Sequence, residues 1–250
     1  MCRYLIYMLV RENFKNYIAR KGSVSDRKND SVAILANGPS LNNILKNWKS
    51  NKDITEGNVV VVNYFCTSSY FQEIKPSYYV LSDPQFYDPQ CPIFEKGKEV
   101  FDVLNEKVSW EMNLYVQFDS LKLIDYKKYI KNSNISVIPF HTKLYSGYEK
   151  LRFFFYKRGL GSANYGTVAL NAIYIMLNLG YKNLYLYGID HTFFDGLTVD
   201  DENTLIDKTK IVENADSINK DKIEATTTEN DFFEFRVGKR ILMHLNHRRW

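Results

Sequence analysis

Small polar side chains follow a series of short apolar segments in this chain, at positions where they could form one binding site. Together with a glycine and a proline of the first turn, the candidate residues are, in chain order, Asn37, Gly38, Pro39, Ser40, Asn63, Ser82, Asp83, Ser162, Asn164, Asp190 and His191. Asparagine, serine and aspartate hydrogen-bond to sugar hydroxyls and to base edges, whereas a phosphate chain bound without metal normally recruits arginine or lysine. The set therefore predicts a site for a nucleotide or a sugar.

The sharpest local feature is the turn formed by residues 37–40. Gly38 allows the backbone to approach a ligand closely, Pro39 suits a first helical turn, and the N–H groups exposed there attract an anion. The turn matches neither the P-loop pattern nor G-x-G-x-x-G. An ordinary turn between a strand and a helix, with Ser40 as the cap, is the alternative.

Two aspartates and one histidine are the candidates for chemistry. Asp83 and Asp190 could hold Mg²⁺ between them and a diphosphate, or each could cap the turn that follows it. His191 is the only histidine at a predicted strand end, where a neutral imidazole could accept a proton from an attacking hydroxyl. A structural hydrogen bond is the alternative, and His244 and His247 lie in a basic tail.

The elements that must position these residues alternate between strand and helix. Continuous apolar runs predict strands at 32–36, 59–62, 78–81, 114–118, 135–138 and 184–187, and the most periodic segment predicts a buried helix over 165–179 that stops at Gly180. Strands of this kind are buried on both faces. They indicate an α/β fold, a Rossmann-like parallel sheet with helices on both faces, which binds ligands at the carboxyl ends of its strands.

Three regions follow from composition. Residues 1–30 predict a basic amphipathic helix, residues 31–197 the Rossmann-like nucleotide-binding domain, and residues 198–250 a polar, lid-like loop segment followed by a basic C-terminal helix. The apolar run at 4–10 is too short to span a bilayer and lacks a signal-peptide cleavage site. The first helix could pack on its own domain, or contact a membrane or a partner.

The charge distribution and the cysteine spacing limit which partners and which cellular compartment the sequence predicts. The net charge of +4 is too small to argue for nucleic acid, but residues 1–30 carry +4, residues 236–250 carry +5 and the region between them −5. Basic ends fit an anionic membrane surface or act as solubilising tails. Cys2, Cys66 and Cys91 are widely spaced, which excludes a disulfide scaffold and a zinc site and favours a reducing cytoplasm.

Two motifs together resemble a known superfamily. The first is the run Val-Ala-Ile-Leu-Ala-Asn-Gly-Pro-Ser-Leu at 32–41, followed by a strand that ends in Asn63; the second is Leu-Gly-Tyr-Lys-Asn-Leu-Tyr-Leu-Tyr-Gly-Ile-Asp at 179–190. Over residues 31–195 the chain resembles bacterial CMP-sialic acid-dependent sialyltransferases and related Rossmann-like proteins. That wider group includes 6-hydroxymethylpterin pyrophosphokinase-like proteins and motility-associated glycosyltransferases.

The resemblance implies that Asn37, Gly38, Ser40 and Asn63 bind a nucleotide sugar, and that Ser82, Asp83 and the 162–164 segment occupy equivalent places. In two respects the chain departs from the sialyltransferases. It has no tyrosine between residues 191 and 230, where those enzymes hold the departing phosphate, and no histidine between His191 and His244, where they have a catalytic base.

We therefore expect a cytoplasmic glycosyltransferase, at the inner face of the membrane, that builds a bacterial surface glycan. It would use a nucleotide-activated sugar, for which a CMP-linked donor is a candidate, and a glycan acceptor, with no cofactor and with His191 or a tail histidine as the base. One alternative is a Mg²⁺-dependent diphosphotransferase of the pterin type, with Asp83 and Asp190 as metal ligands. The other is a module that binds a nucleotide or glycan without turnover.

Overall fold

Six apolar segments form one sheet in the computed structural model, which describes residues 28–142, 148–162 and 166–190 and the short strands at 197–199 and 205–207. The strands are β1 (Ser31–Leu35), β2 (Asn58–Val62), β3 (Tyr78–Leu81), β4 (Met112–Gln117), β5 (Ile135–Phe140) and β6 (Asn183–Tyr187). All neighbours pair in parallel, in the order β5-β4-β3-β2-β1-β6. The predicted α/β, Rossmann-like fold is confirmed.

Helices connect the strands. They are α1 (Leu41–Lys46), α2 (Lys52–Thr55), α3 (Phe71–Ile74), α4 (Phe94–Lys107), α5 (Tyr126–Tyr129), α6 (Glu149–Lys157) and α7 (Val168–Asn178). Single 3₁₀ turns occur at Trp48–Ser50, Asn63–Thr67, Pro84–Phe86 and Phe118–Lys122.

Helices cover both faces of the sheet. On one face Val61 and Leu81 pack in a cluster that includes residues of α4, and on the other Val60 and Val80 pack in a cluster that includes residues of α7. Successive strand residues point to opposite faces, so a strand that is covered on both sides must be apolar at every position. This is why the central strands appear in the sequence as uninterrupted apolar runs.

The order of the strands reverses at β1. From β1 to β5 the chain adds each strand on the same side of the sheet, and it then returns to place β6 on the free side of β1. In open α/β sheets, ligands bind beside the carboxyl ends of the strands at such a reversal. The residues that follow β1 and β6 therefore lie where this architecture binds its ligands.

The long helix begins and ends with recognisable caps. The Thr167 hydroxyl accepts a hydrogen bond from the Leu170 N–H at 3.5 Å. At the other end Gly180 has a φ of +82° and donates to the Leu177 carbonyl at 3.0 Å, while Tyr181 donates to the Met176 carbonyl at 3.1 Å. This pair of bonds is the Schellman arrangement, so the predicted stop at Gly180 is confirmed.

Strand β5 is longer than its sequence pattern predicts. We expected it to end at Ile138 because Pro139 follows, yet the strand continues to Phe140 and Pro139 pairs with Val116. Proline has no N–H to donate, which disrupts a central strand because such a strand donates to neighbours on both sides. In the described sheet, however, β5 is an edge strand and donates to β4 alone. Its missing donor therefore costs no hydrogen bond of the sheet.

The chain divides into two units, Met1–Asp190 and His191–Trp250. In the second, β7 (Leu197–Val199) pairs antiparallel with β8 (Leu205–Asp207), inside the segment for which composition predicts a loop. The Leu-Thr-Val and Leu-Ile-Asp runs are rich in β-formers, and their local pattern prevails over the polar average of the segment. The predicted helices at the two ends of the chain lie outside the described residues. Among the helices that are described, none has the length and hydropathy needed to cross a bilayer.

Candidate functional site

The turn after β1 and the loop after β6 are bound directly to each other. Ala36 donates its N–H to the Tyr187 carbonyl at 2.9 Å, and Gly38 donates to the Gly188 carbonyl at 2.8 Å. Beyond them the Asp190 carboxylate accepts the Ser40 N–H at 2.8 Å and also the Ser40 hydroxyl. We call this set of four contacts the β1–β6 clasp.

Gly38 is required because the two backbones touch. A Cβ at this position would lie 2.4 Å from Asp190 Oδ2 and 2.5 Å from the Gly188 carbonyl oxygen, both far inside van der Waals contact. Gly188 has a φ of +68°, and a Cβ there would lie 2.5 Å from the Ala36 carbonyl oxygen. Both glycines therefore serve the contact between the two turns.

The predicted anion preference of this turn is satisfied inside the protein. We expected its N–H groups to attract a ligand anion or Ser40 to act as a cap, but the Ser40 side chain makes no capping bond to the helix. The Asp190 carboxylate binds the Ser40 N–H instead, as a capping carboxylate does at a helix start. Asp190 thus caps the start of α1, whereas the turn that follows Asp190 itself lies outside the described residues.

The same contacts bear on the magnesium alternative. Both oxygens of Asp190 already accept hydrogen bonds from Ser40, and Asp83 accepts one from a neighbouring asparagine. Within the described ranges, no group of three or more His, Cys, Asp or Glu side chains is arranged to hold a metal ion. The magnesium alternative, which needs only the two aspartates and a diphosphate, stays a prediction.

The end of β2 is hydrogen-bonded to the turn after β1 and to the residues that follow β3. Asn37, exposed in its turn, donates its side-chain N–H to the Val62 carbonyl at 3.3 Å. Asn63, the following residue, donates its Nδ2 to Asp83 Oδ2 at 2.6 Å. The ends of β1, β2, β3 and β6 are thus joined by direct contacts along one edge of the sheet.

Asn63 has a left-handed backbone that is held in place by a tyrosine. Its φ is +49°, a conformation that asparagine adopts more readily than other residues with a side chain. The Tyr79 hydroxyl donates to the Asn63 carbonyl oxygen and accepts the Cys66 N–H at 3.1 Å. Burial raises the pKa of Tyr79 well above its usual value, so this hydroxyl stays protonated and keeps its donor.

One acceptor at this edge has no partner. Asn63 Oδ1 is buried and makes no hydrogen bond, although its own Nδ2 is used by Asp83. An unmade bond at a buried polar atom costs about 1–3 kcal/mol. Among the described residues, Asn178 Oδ1 at the end of α7 is a second buried acceptor of this kind.

Ser82 and Ser162 are both buried. The Ser82 hydroxyl accepts the Asn171 side-chain N–H at 3.0 Å, and the Ser82 carbonyl accepts Gln117 Nε2 at 2.5 Å. Ser162 is fully buried, next to Gly161, whose carbonyl accepts the Tyr174 hydroxyl at 2.7 Å. Both serines are buried, and the expectation that they bind the nucleotide stays a prediction.

Two predicted site residues, Asn164 and His191, lie outside the described residues, and their roles stay predictions.

The sequence interpretation overlooked a histidine at a strand end: because β5 extends to Phe140, His141 follows it directly. His141 is 1% exposed, and its ring lies 5.0 Å from that of Phe118. The sequence pattern missed this position because Pro139 predicts that the strand ends at Ile138, two residues before its actual end at Phe140.

Asn171 was also missed, and its signal was visible. It is a polar residue on the buried face of an otherwise apolar helix, α7, and it is 6% exposed. A buried amide requires a partner, so its presence in that helix predicts a polar group opposite it. That group is Ser82.

The charge of Asp83 acts on two half-buried tyrosines. Burial raises the pKa of both Tyr64 and Tyr87, and the charge of Asp83 raises each further. The Tyr64 ring also packs on Phe86 at 5.3 Å between ring centroids. The edge near β3 therefore combines a carboxylate, an amide oxygen and half-buried phenol rings that stay protonated.

Comparison with solved structures finds a likeness to a MAf glycosyltransferase from Magnetospirillum magneticum AMB-1. The TM-score is 0.40 with 15% sequence identity, and the alignment covers 70% of this chain and 26% of that chain. This chain thus spans about a quarter of the length of that protein. Neither the protein-family models nor the curated proteins compared with this sequence match it.

Proposed function

We propose that this protein is a glycosyltransferase that takes a sugar from a nucleotide-activated donor and transfers it to a hydroxyl of a glycan acceptor. The observation that supports the proposal is the meeting of the turn at 37–40, Asn63 and Asp190 at one edge of the sheet. Ser40 is bound to Asp190, and Asn37 is bound to the carbonyl of Val62. These are the segments whose sequences resemble nucleotide-sugar enzymes, and their contact is what one shared ligand site requires.

The reaction in this proposal exchanges one bond for another. The acceptor oxygen forms a bond to the anomeric carbon of the donor, and the bond from that carbon to the phosphate oxygen breaks. The nucleotide leaves with the electron pair, and the acceptor proton passes to a general base, for which His191 is the candidate. The basic ends of the chain, residues 1–30 and 236–250, fit an acceptor held at the anionic inner face of a membrane.

Ligand-induced stabilisation tests the binding step. The melting temperature of the full chain is measured with CMP, CMP-sialic acid, UDP-sugars, GDP-sugars and ATP, each with and without Mg²⁺. A ligand at 100 times its Kd stabilises the fold by about 2.7 kcal/mol. For a chain of this size that corresponds to a rise of roughly 5–10 °C. If none of these compounds raises the melting temperature, the proposal is wrong.

A pair of glycine variants makes the test specific for the site. Asn63→Gly removes the amide but keeps the left-handed backbone, which glycine adopts without strain. Lys75→Gly is the matched control, because exposed Lys75 has a φ of +50° at the end of α3. We expect Asn63→Gly to lose the ligand shift and Lys75→Gly to keep it. Equal shifts in both variants would contradict the assignment.

Turnover separates an enzyme from a binding module. The donor that gives the largest shift is incubated with the protein, and release of free nucleotide is followed with water or a hydroxyl acceptor. We expect release by the parent, and a His191→Ala variant that binds the donor but releases nucleotide far more slowly. Donor binding without any release by the parent would favour the non-catalytic module.

A further inference from the structure

Helix α6 exposes two aromatic rings among basic side chains. Phe153 and Phe154 are 46% and 43% exposed, and Tyr148, just before the helix, is 77% exposed. Exposed lysine and arginine side chains lie three or four positions before and after the two phenylalanines, a spacing that places them on the same side of the helix. We call this surface the α6 face, and it consists of Lys150, Phe153, Phe154, Lys157 and Arg158.

The other side of α6 fixes the helix on its domain. Phe155 is 2% exposed, and half-buried Tyr156 packs against the cluster that includes residues of α7. The helix ends in a Schellman arrangement, in which Leu160 donates to the Phe155 carbonyl at 3.0 Å and Gly159, with a φ of +62°, donates to the Tyr156 carbonyl at 3.2 Å. A helix held in this way presents the α6 face as a rigid surface.

The charge around the exposed rings is positive. From Tyr148 to Arg158 the chain has four cations and one carboxylate, Glu149, which gives +3. Among the ion pairs of the described residues, none involves these four cations. The surface therefore combines apolar rings with a charge that attracts an anionic partner.

An anionic membrane fits this surface better than a nucleic acid does. Phenyl rings among lysines and arginines enter the boundary between lipid headgroups and acyl chains, while the cations bind the headgroups. A nucleobase stacks on an open ring face. At Phe154 the Arg158 guanidinium already lies over the ring, 4.3 Å from its centroid, and at Phe153 the Arg152 guanidinium lies 5.4 Å from the centroid. A guanidinium in that position can still bind a lipid phosphate.

We propose that the α6 face binds the surface of a bilayer that contains anionic lipids. The rings of Phe153 and Phe154 enter the boundary between headgroups and acyl chains, and the cations of the α6 face contact lipid phosphates. This surface is separate in sequence from the basic ends of the chain, and its binding involves no nucleotide. The inference is therefore independent of the glycosyltransferase function proposed above.

Co-sedimentation of the full chain with vesicles tests the inference. The vesicles consist of phosphatidylcholine alone, or of phosphatidylcholine and phosphatidylglycerol in equal amounts. We expect binding to the anionic vesicles to be at least about tenfold stronger, because each cation near an anionic surface strengthens binding about fivefold. We also expect added salt to weaken the binding, since it screens exposed charges.

A phenylalanine variant assigns the binding to the α6 face. Phe153→Ala combined with Phe154→Ala should lower the affinity for anionic vesicles at least about tenfold, because the apolar area of both rings is lost. Leu121→Ala combined with Leu123→Ala is the matched control. These leucines are 42% and 52% exposed, but the lysine between them is neutralised by an aspartate. We expect the control to keep the affinity of the parent.

A lysine variant tests the charge of the α6 face separately. Lys150→Gln combined with Lys157→Gln should lower the affinity for anionic vesicles by about fivefold for each cation removed. Lys127→Gln combined with Lys128→Gln, two exposed lysines of α5, is its control and should bind as the parent does. Urea unfolding verifies that all four variants are folded, and if the phenylalanine variant does not fold, the lysine pair decides the test.

The inference is overturned if the full chain does not bind anionic vesicles, if the α6 variants bind them as well as the parent, or if the controls lose as much affinity. Loss of affinity in the α6 variants alone supports it, with or without nucleotide binding. Poly-uridylate is the nucleic-acid probe. Binding of this RNA that is lost in the phenylalanine variant, without any vesicle binding, would overturn the inference and assign the α6 face to nucleic acid.

Discussion

The β1–β6 clasp predicts a measurable energetic coupling between Ser40 and Asp190. Ser40→Ala removes only the hydroxyl bond to the carboxylate, whereas Asp190→Ala removes that bond and the bond to the Ser40 N–H. The double variant then completes a thermodynamic cycle. Because the two residues are 150 positions apart, their coupling reports a tertiary contact and no local effect of sequence.

The magnitudes follow from the type of each bond. The hydroxyl bond lies at an exposed residue, so its loss in Ser40→Ala costs about 1 kcal/mol. Asp190→Ala also leaves the N–H of the helix start without its charged acceptor, which brings the total to about 2 kcal/mol. For a chain of this size the melting temperature then falls by roughly 4–8 °C. The coupling energy equals the shared hydroxyl bond, about 1 kcal/mol.

The assay is equilibrium urea unfolding of the parent, the two single variants and the double variant, with and without Mg²⁺. We expect Asp190→Ala to cost about 1 kcal/mol less in the Ser40→Ala background than in the parent, and Mg²⁺ to leave all four proteins unchanged. Independent effects of the two substitutions would refute the clasp. A stabilisation by Mg²⁺ that disappears in Asp190→Ala would show that this carboxylate is a metal ligand.

Two further predictions concern the core. A Cβ on Gly97 of α4 would lie 1.9 Å from the Gln85 carbonyl oxygen, so Gly97→Ala should lower the free energy of unfolding by more than about 2 kcal/mol. Gly166 has open space around it, so Gly166→Ala should change that free energy little. Similar unfolding midpoints for the two variants would contradict this packing. Burial raises the pKa of several tyrosines above the value of about 10 that they have in the unfolded chain. The stability that these protonated phenols contribute to the fold is therefore complete below about pH 10, and it is lost as the pH rises through their pKa values in the folded protein. Absorbance at 295 nm should therefore show a late ionisation that coincides with alkaline unfolding for Tyr79, Tyr115 and Tyr126. Ionisation of all tyrosines near pH 10 in the folded protein would contradict it.

The sheet could be predicted from the sequence because burial on both faces leaves an uninterrupted apolar pattern. The strands predicted at 59–62 and 78–81 and the stop of α7 at Gly180 follow from local residues alone. The end of β5 could not, because Pro139 breaks a central strand and not an edge strand, and which strands lie at the edge is decided by the whole sheet.

The site was predictable in composition but not in its contacts. Strand ends carry its polar residues, so Asn37, Asn63 and Asp190 could be named from the pattern of apolar runs. That Asp190 would bind Ser40 depends on β6 lying beside β1, and no local pattern encodes this pairing. The role of Tyr79 was hidden for a similar reason, because within an apolar strand its ring is indistinguishable from a core residue.

The late arrival of β6 has a consequence during synthesis. A ribosome that adds about 5–20 residues per second needs roughly 8–30 s to advance the 150 residues from Ser40 to Asp190. Throughout that interval the nascent β1, which is almost entirely apolar, has an open flank on the side that β6 will occupy. Exposed edges of apolar strands pair with other chains. Transcripts truncated before residue 183 should therefore yield products that aggregate or are held by chaperones.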